Sequence, residues 1–586
     1  MGKTKLFGSL GIITAAALTL AACGKSGNND DANEGKKANK FPEETPVKTT
    51  KKGGTLKQAV LSASPATGIF APELYTIQTD LEMMQPGIES LFDTNDQYKI
   101  NNKGPATFKL DRKAKTVTIE VKKGVKWSDG KQVVAKDVEY PYEIIANKKT
   151  KSQRYTDSLA NIEGLADYHN GKAKDISGIE MPDGESGRKV VLHFKQMKPG
   201  MYNSGNGYFW EYAEPYHYLK DVPFDKLESS DKVRKSPLFF GPYRMSKTVR
   251  GQSTTWVPNK YYWRGTPKLD KIVLSILSPD SASQAVKSHR FDILKIKSNQ
   301  WTQVKNTKKV NFVANVPLSY AYMGFKVGKW DAKKGKNVMD KNPKMTKPLR
   351  QAIGYAMNVD QVDKRYTKGI KFQIPTLIPK EFGDYFDKDI KGYTYNLKKA
   401  NQILDKAGYK KKGKWRTQPN GKPLTINFLA MQGTSVQEPI IQNFLQQWKK
   451  VGLNVKLVGG RLTEGNSFYD KLQNDASGVD MFNGVWGLSS EPSPNDLYNE
   501  KAPFNYSRFV SKENNKLLAE MDSEKAFDHK YRVQKFHEWQ KYMDREAYVI
   551  PMDNAYEVSA VNDKVTGYSL KPSDSNSKYF NVAYTK

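Results

Sequence analysis

Cysteine is almost absent: Cys23 is the only one in 586 residues. No disulfide can form within the chain, so a fold of this size must rest on its cores rather than on cross-links. Six histidines, at 169, 193, 217, 289, 529 and 537, form neither HExxH nor another close pair. With one cysteine as well, the usual structural zinc spacings are excluded and no metal site is expected. Nucleotide loops are missing too. Gly24-Lys25-Ser26 ends like a phosphate-binding loop, but Thr19 stands where its first glycine belongs. Gly205-Asn206-Gly207 lacks the third glycine of a dinucleotide fingerprint, and no GxSxG elbow occurs. These absences argue against an enzyme and imply no cofactor. The net charge is +32, yet no long Lys/Arg block, helix-turn-helix signature or zinc finger accompanies it. Charge spread in this way suits a solvated surface facing a polyanionic wall or anionic lipid, not nucleic acid.

What is present begins at the N-terminus. Lys3 and Lys5 precede an apolar run of 15 residues, Leu6 to Leu20, followed by Ala21-Ala22-Cys23-Gly24. A basic start, a short apolar core and small residues make a secretory signal. The run falls short of the about 20 residues a membrane span needs. Leu20-Ala21-Ala22-Cys23 resembles the lipobox of bacterial lipoproteins. The resemblance implies removal of residues 1–22 and a diacylglycerol on Cys23, with the protein lipid-anchored on the outer face of a cell membrane, in a Gram-positive setting. The plain alternative is a free or buried thiol. Residues 23–52 are polar and charged, with few large apolar side chains, and read as a flexible tether. About 29 such residues have an end-to-end distance of roughly 30 Å.

About 564 residues remain after the signal, enough for two or three domains. Val117, Ile119 and Val121 alternate with polar residues as in a half-buried strand. Val138 to Ala146 reads as helix, which Pro141 is expected to kink or delay. Thr346-Lys347-Pro348 opens a helix through Met357. Leu397, Ala400, Ile403, Leu404 and Ala407 line another, stopped by Gly408. A strand over 424–429, a helical stripe from Ile440 to Val451 and a strand over 454–458 make a βαβ unit. A further strand spans 479–486. The pattern is α/β, without repeats or heptads.

Several blocks, in order, resemble the extracellular solute-binding proteins of the oligopeptide/dipeptide type, solute-binding protein family 5. They are Val121 to Lys131 (VKKGVKWSDGK) with Ala135-Lys136-Asp137-Val138; Gly241-Pro242-Tyr243; Pro258 to Gly265 (PNKYYWRG) with Pro267 to Ile272; Leu349-Arg350-Gln351-Ala352; the helices 400–408 and 437–457; and Ile550-Pro551. The resemblance spans roughly 53–586. It implies an α/β, two-lobed periplasmic-binding-protein-like fold of type II, in the large three-domain cluster, with a two-segment hinge. Lobe I is expected from 53–95, 210–316 and 549–586, an inserted small domain from 96–209, and lobe II from 317–548. The crossings fall near 317–322 and 548–551.

The same resemblance implies a membrane-anchored receptor, not an enzyme. It would capture extracellular oligopeptides by hinge closure and deliver them to the permease and ATPase subunits of an ABC importer, acting as a monomer. In the family a cleft Trp is followed three residues later by an Asp that pairs with the peptide ammonium. Trp486 matches the Trp, but Ser489 holds the Asp position and the next carboxylate is Glu491. The candidate ligand-binding residues are therefore Trp486, Gly487, Ser489, Ser490 and Glu491. Either Glu491 substitutes for the Asp, or backbone and the Ser489/Ser490 oxygens take the amine. Against this, Glu491 merely caps a loop, and Trp486 is only core. Arg350 and Asp137 read as structural. Tyr208 to Tyr212 is core or pocket wall. A departure at Pro237 to Gly241, where the family is glycine-rich, leaves that backbone open. The departures keep specialised ligands in play: a pheromone or modified peptide, haem or chelated nickel. A lipid-tethered surface enzyme or foldase, and an adhesin using the basic surface, are the rivals of another class.

Overall fold

The computed structural model describes residues 41–150, 152–433 and 435–586. The signal peptide, Cys23 and residues 23–40 of the expected tether lie outside the described residues.

Three sheets organise the body. The first has seven strands in the order Val310–Asn315, Glu557–Asn562, Ile293–Ile296, Thr55–Leu61, Lys271–Leu277, Ser253–Pro258, Tyr243–Val249. Thr55–Leu61 sits at its centre, parallel to both neighbours. Its Leu56, Ala59 and Val60 are buried on opposite faces, as expected for a strand covered on both sides. This sheet is lobe I. A second sheet, antiparallel, joins Ala106–Asp111, Thr116–Val121, Lys189–His193 and Ile179–Glu180. Val117, Ile119 and Val121 point into its core beside Trp127 and Tyr142, which gives the inserted small domain its own core. The third sheet runs Asn454–Leu457, Thr425–Leu429, Met481–Gly487, Ser319–Phe325, Val549–Pro551 and forms lobe II. Thr425–Leu429 and Asn454–Leu457 are parallel and joined by the helix Gln437–Lys450, the βαβ unit read from the sequence.

Local chemistry explains the helix ends. The Thr346 side chain accepts from Leu349 N, capping Lys347–Tyr355 with Pro348 in the first turn. Gly408 follows the helix Leu397–Lys406 and Gly452 the helix Gln437–Lys450, at φ +83° and +80°, a conformation that favours glycine. Arg350 is buried among carbonyls: it donates to Ala547 O at 3.0 Å, Met345 O at 2.6 Å and Glu546 O at 2.6 Å. Asp137 accepts from Trp127 Nε1, Val134 N and Tyr216 N at 2.9 to 3.0 Å. Both are thus structural in their contacts.

Three expectations are corrected. Pro141 does not delay its helix, which already runs from Ala135 and continues through the proline to Ala146. The Asp137 carbonyl, deprived of its donor by proline, accepts instead from Glu214 N at 2.9 Å. The tether ends earlier than residue 52. Phe41 packs edge-on against Trp301 and Tyr556 at ring separations of 5.1 and 5.2 Å. Thr45 N donates to Tyr568 O, and Thr50–Lys51 pairs with Ala583–Thr585. Those backbone bonds hold a polar segment that composition alone assigns to a linker. The second crossing also lies later. Val549–Pro551 belongs to the lobe II sheet, and Asp553–Ala555 pairs with Lys371–Gln373, so the chain returns to lobe I at Tyr556.

Lobe I meets the small domain across a set of buried carboxyls: Glu73, Glu89, Asp137, Glu139, Glu211 and Glu214. Glu89 accepts through Oε1 from Tyr262, Trp263 and Arg264, while Oε2 has no hydrogen-bond partner. Burial pushes its pKa up from 4.5 to about 8, against the opposing pull of Arg264. The folded chain therefore binds a proton that the unfolded chain has lost between those values. Its contribution is complete below pH 4.5 and declines as pH rises to about 8. Glu89→Gln is expected to lessen the loss of stability over that interval by one proton's share, about 1.4 kcal/mol per pH unit. Urea midpoints at several pH values check this; identical slopes in both proteins refute it.

Candidate functional site

Two segments join the lobes, and one side chain ties them. Asn554 Nδ2 donates to Pro317 O at 3.2 Å, and Ser319 Oγ donates to Asn554 Oδ1 at 3.1 Å. The two crossings are thereby held side by side, as in a hinge.

Three adjoining cavities lie along this region. One of about 400 Å³ opens at the polar end of the lobe I sheet face, where Gln58, Lys295, Glu557 and Ser559 succeed the apolar residues of the core. Lys295 lies between Glu82 at 3.3 Å and Glu557 at 3.5 Å. A second, of about 220 Å³, is lined by Glu43, Asp96, Tyr98, Asn315 and Glu381. Burial, then the charges of Glu381, Glu43 and Asp96, raise the Tyr98 hydroxyl to about 12, so it stays a donor. The third, of about 450 Å³, lies between the small domain and lobe II, among Tyr202, Asn203, Tyr385, Phe527, His529 and Arg532. Tyr98 and Asn315 border both the first and second cavities, and Gln97 and Gly383 both the second and third. The walls therefore form one groove, of the size range and mixed polarity of a ligand cleft.

The residues singled out from the sequence stand beside this groove rather than in its walls. Trp486 stacks on Tyr322 at 6.0 Å and on Tyr506 at 5.6 Å, with Phe504 edge-on at 5.7 Å. Phe504 and Val485 are about half exposed, so this apolar cluster is not closed core. Trp486 and Gly487 end a strand whose partner Thr425–Leu429 stops opposite Phe482. Leu488 N bonds Leu318 O on the other side. By the alternation of an antiparallel ladder, the N–H groups of Val485 and Gly487 then face the edge left open past Leu429.

Ser489 Oγ donates to Glu491 O at 3.1 Å. Ser490 reaches the small domain: its Oγ donates to Ser204 O, and its carbonyl accepts from Asn203 Nδ2 at 3.0 Å. Glu491 has both oxygens engaged. Oε1 accepts from Arg532 Nη2 at 2.5 Å and Oε2 from Ser493 N at 2.9 Å. Arg532 is itself buried and also pairs with Asp522 at 3.2 Å. Burial opposes its charge, but Glu491, Tyr385 and Asp522 outweigh that and keep the guanidinium more basic than usual. Nearby, Arg112 of the small domain pairs with Glu524 and covers the Phe527 ring at 4.4 Å. Small domain and lobe II are thus in direct contact around 199–206, 489–491 and 524–527.

Sequence reasoning missed Arg532, although a signal existed. It falls on the apolar stripe of the helix His529–Glu546 with Phe536, Trp539 and Met543, where a charge needs a buried partner. Tyr98 had no such signal. It sits at φ +60° in a turn whose Asn95 Oδ1 accepts from Gln97 N and Lys99 N.

Residues 105–508 match the family described as bacterial extracellular solute-binding proteins, family 5. The chain is 40% identical over 580 residues to the oligopeptide-binding protein OppA of Lactococcus lactis subsp. lactis, covering 97% of this chain and 96% of that one. It is 25% identical to the oligopeptide-binding protein AppA of Bacillus subtilis, over 78% of each chain. The solved structure of lactococcal OppA complexed with an endogenous peptide in the closed conformation, also 40% identical, superposes with a TM-score of 0.75 over 90% of this chain and 100% of that one. With its two-lobed α/β body, its paired crossings and a match across most of its length, the chain belongs to the family 5 extracellular solute-binding proteins.

Proposed function

We propose that this protein captures extracellular oligopeptides between its lobes and delivers them to the permease and ATPase subunits of an ABC importer. It binds and releases; ATP is hydrolysed by its partners. The observation that carries this reading is the continuous groove, with an unpaired strand edge beside it. An extended peptide presents N–H and C=O groups at the spacing of a strand, so Val485 and Gly487 can bond its main chain without regard to its side chains. Trp486 and the exposed Phe504 offer an apolar wall beside that edge, and Ser489 lies next to it. The oligopeptide-binding name of the lactococcal relative supports peptide over haem, chelated nickel or another specialised ligand.

Glu491 takes a different part in this proposal from the one its sequence position suggests. Arg532 already holds its carboxylate, so a peptide amine would have to displace a buried guanidinium. Backbone and Ser489 remain for the amine, while Ser490, Glu491 and Arg532 fasten the small domain to lobe II on closure. We also propose that Cys23 carries the lipid that keeps a monomeric receptor near its importer. The body begins by Phe41, so the intervening segment is short and the effective concentration at the membrane high.

Native mass spectrometry of protein purified from its host is expected to show bound masses belonging to peptides; only a metal complex or porphyrin, or an empty protein, refutes the reading. Val485→Pro removes an N–H from the open edge and is expected to lower peptide affinity at least tenfold, about 1.4 kcal/mol, with little change in melting temperature. Unchanged affinity, measured by calorimetry, rules out pairing at that edge.

Gly200 tests closure. A methyl there would overlap the Glu491 side chain, with Cδ at 2.6 Å. Gly200→Ala is expected to weaken peptide capture and to enlarge the radius of gyration of the peptide-bound protein in solution scattering. Wild-type affinity and size in the variant would show that 200 and 491 do not meet on closure.

A further inference from the structure

The stretch 406–437 contains six lysines and Arg416 but no acidic residue. Part of it folds as a small hairpin in which Lys411–Lys412 pairs with Trp415–Arg416 around Gly413. Lys410, Lys411, Lys412 and Lys414 are exposed on it. The hairpin is not loose. Arg416, 2% exposed, anchors its base: Nε donates to Val451 O at 2.8 Å, Nη2 to Asn401 Oδ1 at 2.7 Å and Nη1 to Asp405 Oδ1 at 2.6 Å. Arg416 N also bonds Gly452 O at 2.8 Å. This docks the hairpin on the C-terminal end of the helix Gln437–Lys450, where Lys449 and Lys450 are exposed as well.

The patch has no counter-charge of its own. None of these six lysines is in an ion pair among the described residues, and Asp405 beside them is already taken by Arg416. Like charges held together by a rigid base repel one another, and that cost is recovered against an anionic partner. The patch lies next to Asn454–Leu457, the edge strand farthest in the sheet order from Val549–Pro551 and the crossings, so it is separate from the groove. Trp415 is half-buried with Lys414 over its ring at 4.7 Å. An indole flanked by lysines suits the headgroup layer of a bilayer, where apolar ring and charge are both accommodated.

We propose that the hairpin 410–416 is a docking surface for anionic phospholipid headgroups, which turns lobe II toward the membrane. The choice of lipid over an anionic polymer or protein rests on the lipid-anchor reading of Cys23. A chain of 17 residues, Gly24 to Lys40, reaches at most about 60 Å, so a lipid on Cys23 would hold the body within that distance of the bilayer.

The test uses the full chain with Cys23→Ser, so that no acyl chain contributes, and vesicles of phosphatidylcholine alone or with one-third phosphatidylglycerol. The expected result is binding that requires phosphatidylglycerol and weakens with salt. Replacing Lys410, Lys411, Lys412 and Lys414 by Gln is expected to lower partitioning at low salt by up to about a thousandfold, about 4 kcal/mol. A control of equal charge, with exposed Lys287, Lys305, Lys308 and Lys309 of lobe I replaced by Gln, is expected to retain most of the binding. Equal loss in both sets, no preference for phosphatidylglycerol, or binding only to soluble polyphosphate overturns the proposal. Peptide capture is measured on the same samples. Its absence in all of them would count against the peptide receptor without touching the vesicle result.

Discussion

Everything the protein does with a ligand depends on the chain crossing between lobes only twice, with both crossings bound to each other. Asn554 links the carbonyl of Pro317 to the hydroxyl of Ser319, so the two segments cannot slide independently. Strands lead into them on either side: Val310–Asn315 and Ser319–Phe325 at one, Asp553–Ala555 and Glu557–Asn562 at the other. With so few residues free to change dihedral angles, the remaining freedom is rotation of one lobe against the other. Asn315 and Glu557, which flank the crossings on the lobe I side, line the groove, so rotation at residues 316–318 and 556 would change its width.

The opposite end of the groove is governed by a buried charge. Arg532 binds Glu491, Asp522 and the Met521 carbonyl at once, and Glu491 faces Gly200 of the small domain. Removing Arg532 would leave the buried Glu491 without its counter-charge, so the ion pair is expensive to break and rigid while intact. A rigid pair makes a good stop. The small domain meets lobe II there through Gly200 against Glu491, Ser490 with Ser204 and Asn203, and Arg112 with Glu524 and Phe527.

Much of the fold was legible in the sequence because its signals are local. Alternation at Val117, Ile119 and Val121, the Thr346-Pro348 start and the glycine stops at 408 and 452 all depend on neighbours within a few positions. The errors came where a distant partner decides. The Asp137 carbonyl that Pro141 leaves without a helical donor is met by Glu214, far along the chain. Residues 41–52 are held by Trp301, Tyr556 and backbone bonds to segments near 568 and 584. The five residues chosen around Trp486 stand at the groove's margin, and a match to a family motif could place them there. The groove walls, with Tyr98, Lys295 and Arg532 drawn from three separate parts of the chain, have no common sequence pattern to reveal them.

The pairing of Thr50–Lys51 with Ala583–Thr585 has a consequence for how the molecule is made. Lobe I draws strands from both ends of the chain, in this pairing and in that of Glu557–Asn562 with Ile293–Ile296, so it cannot be completed until the last residues have been made. The small domain and lobe II are each a single stretch and can fold as they emerge, their contacts being closer in sequence. The central strand of its large sheet, Thr55–Leu61, therefore waits for its later neighbours Lys271–Leu277 and Ile293–Ile296, and the sheet for Glu557–Asn562. The lobe that the chain enters first is thus the last to be finished, and until then its central apolar strand has no complete sheet to cover it.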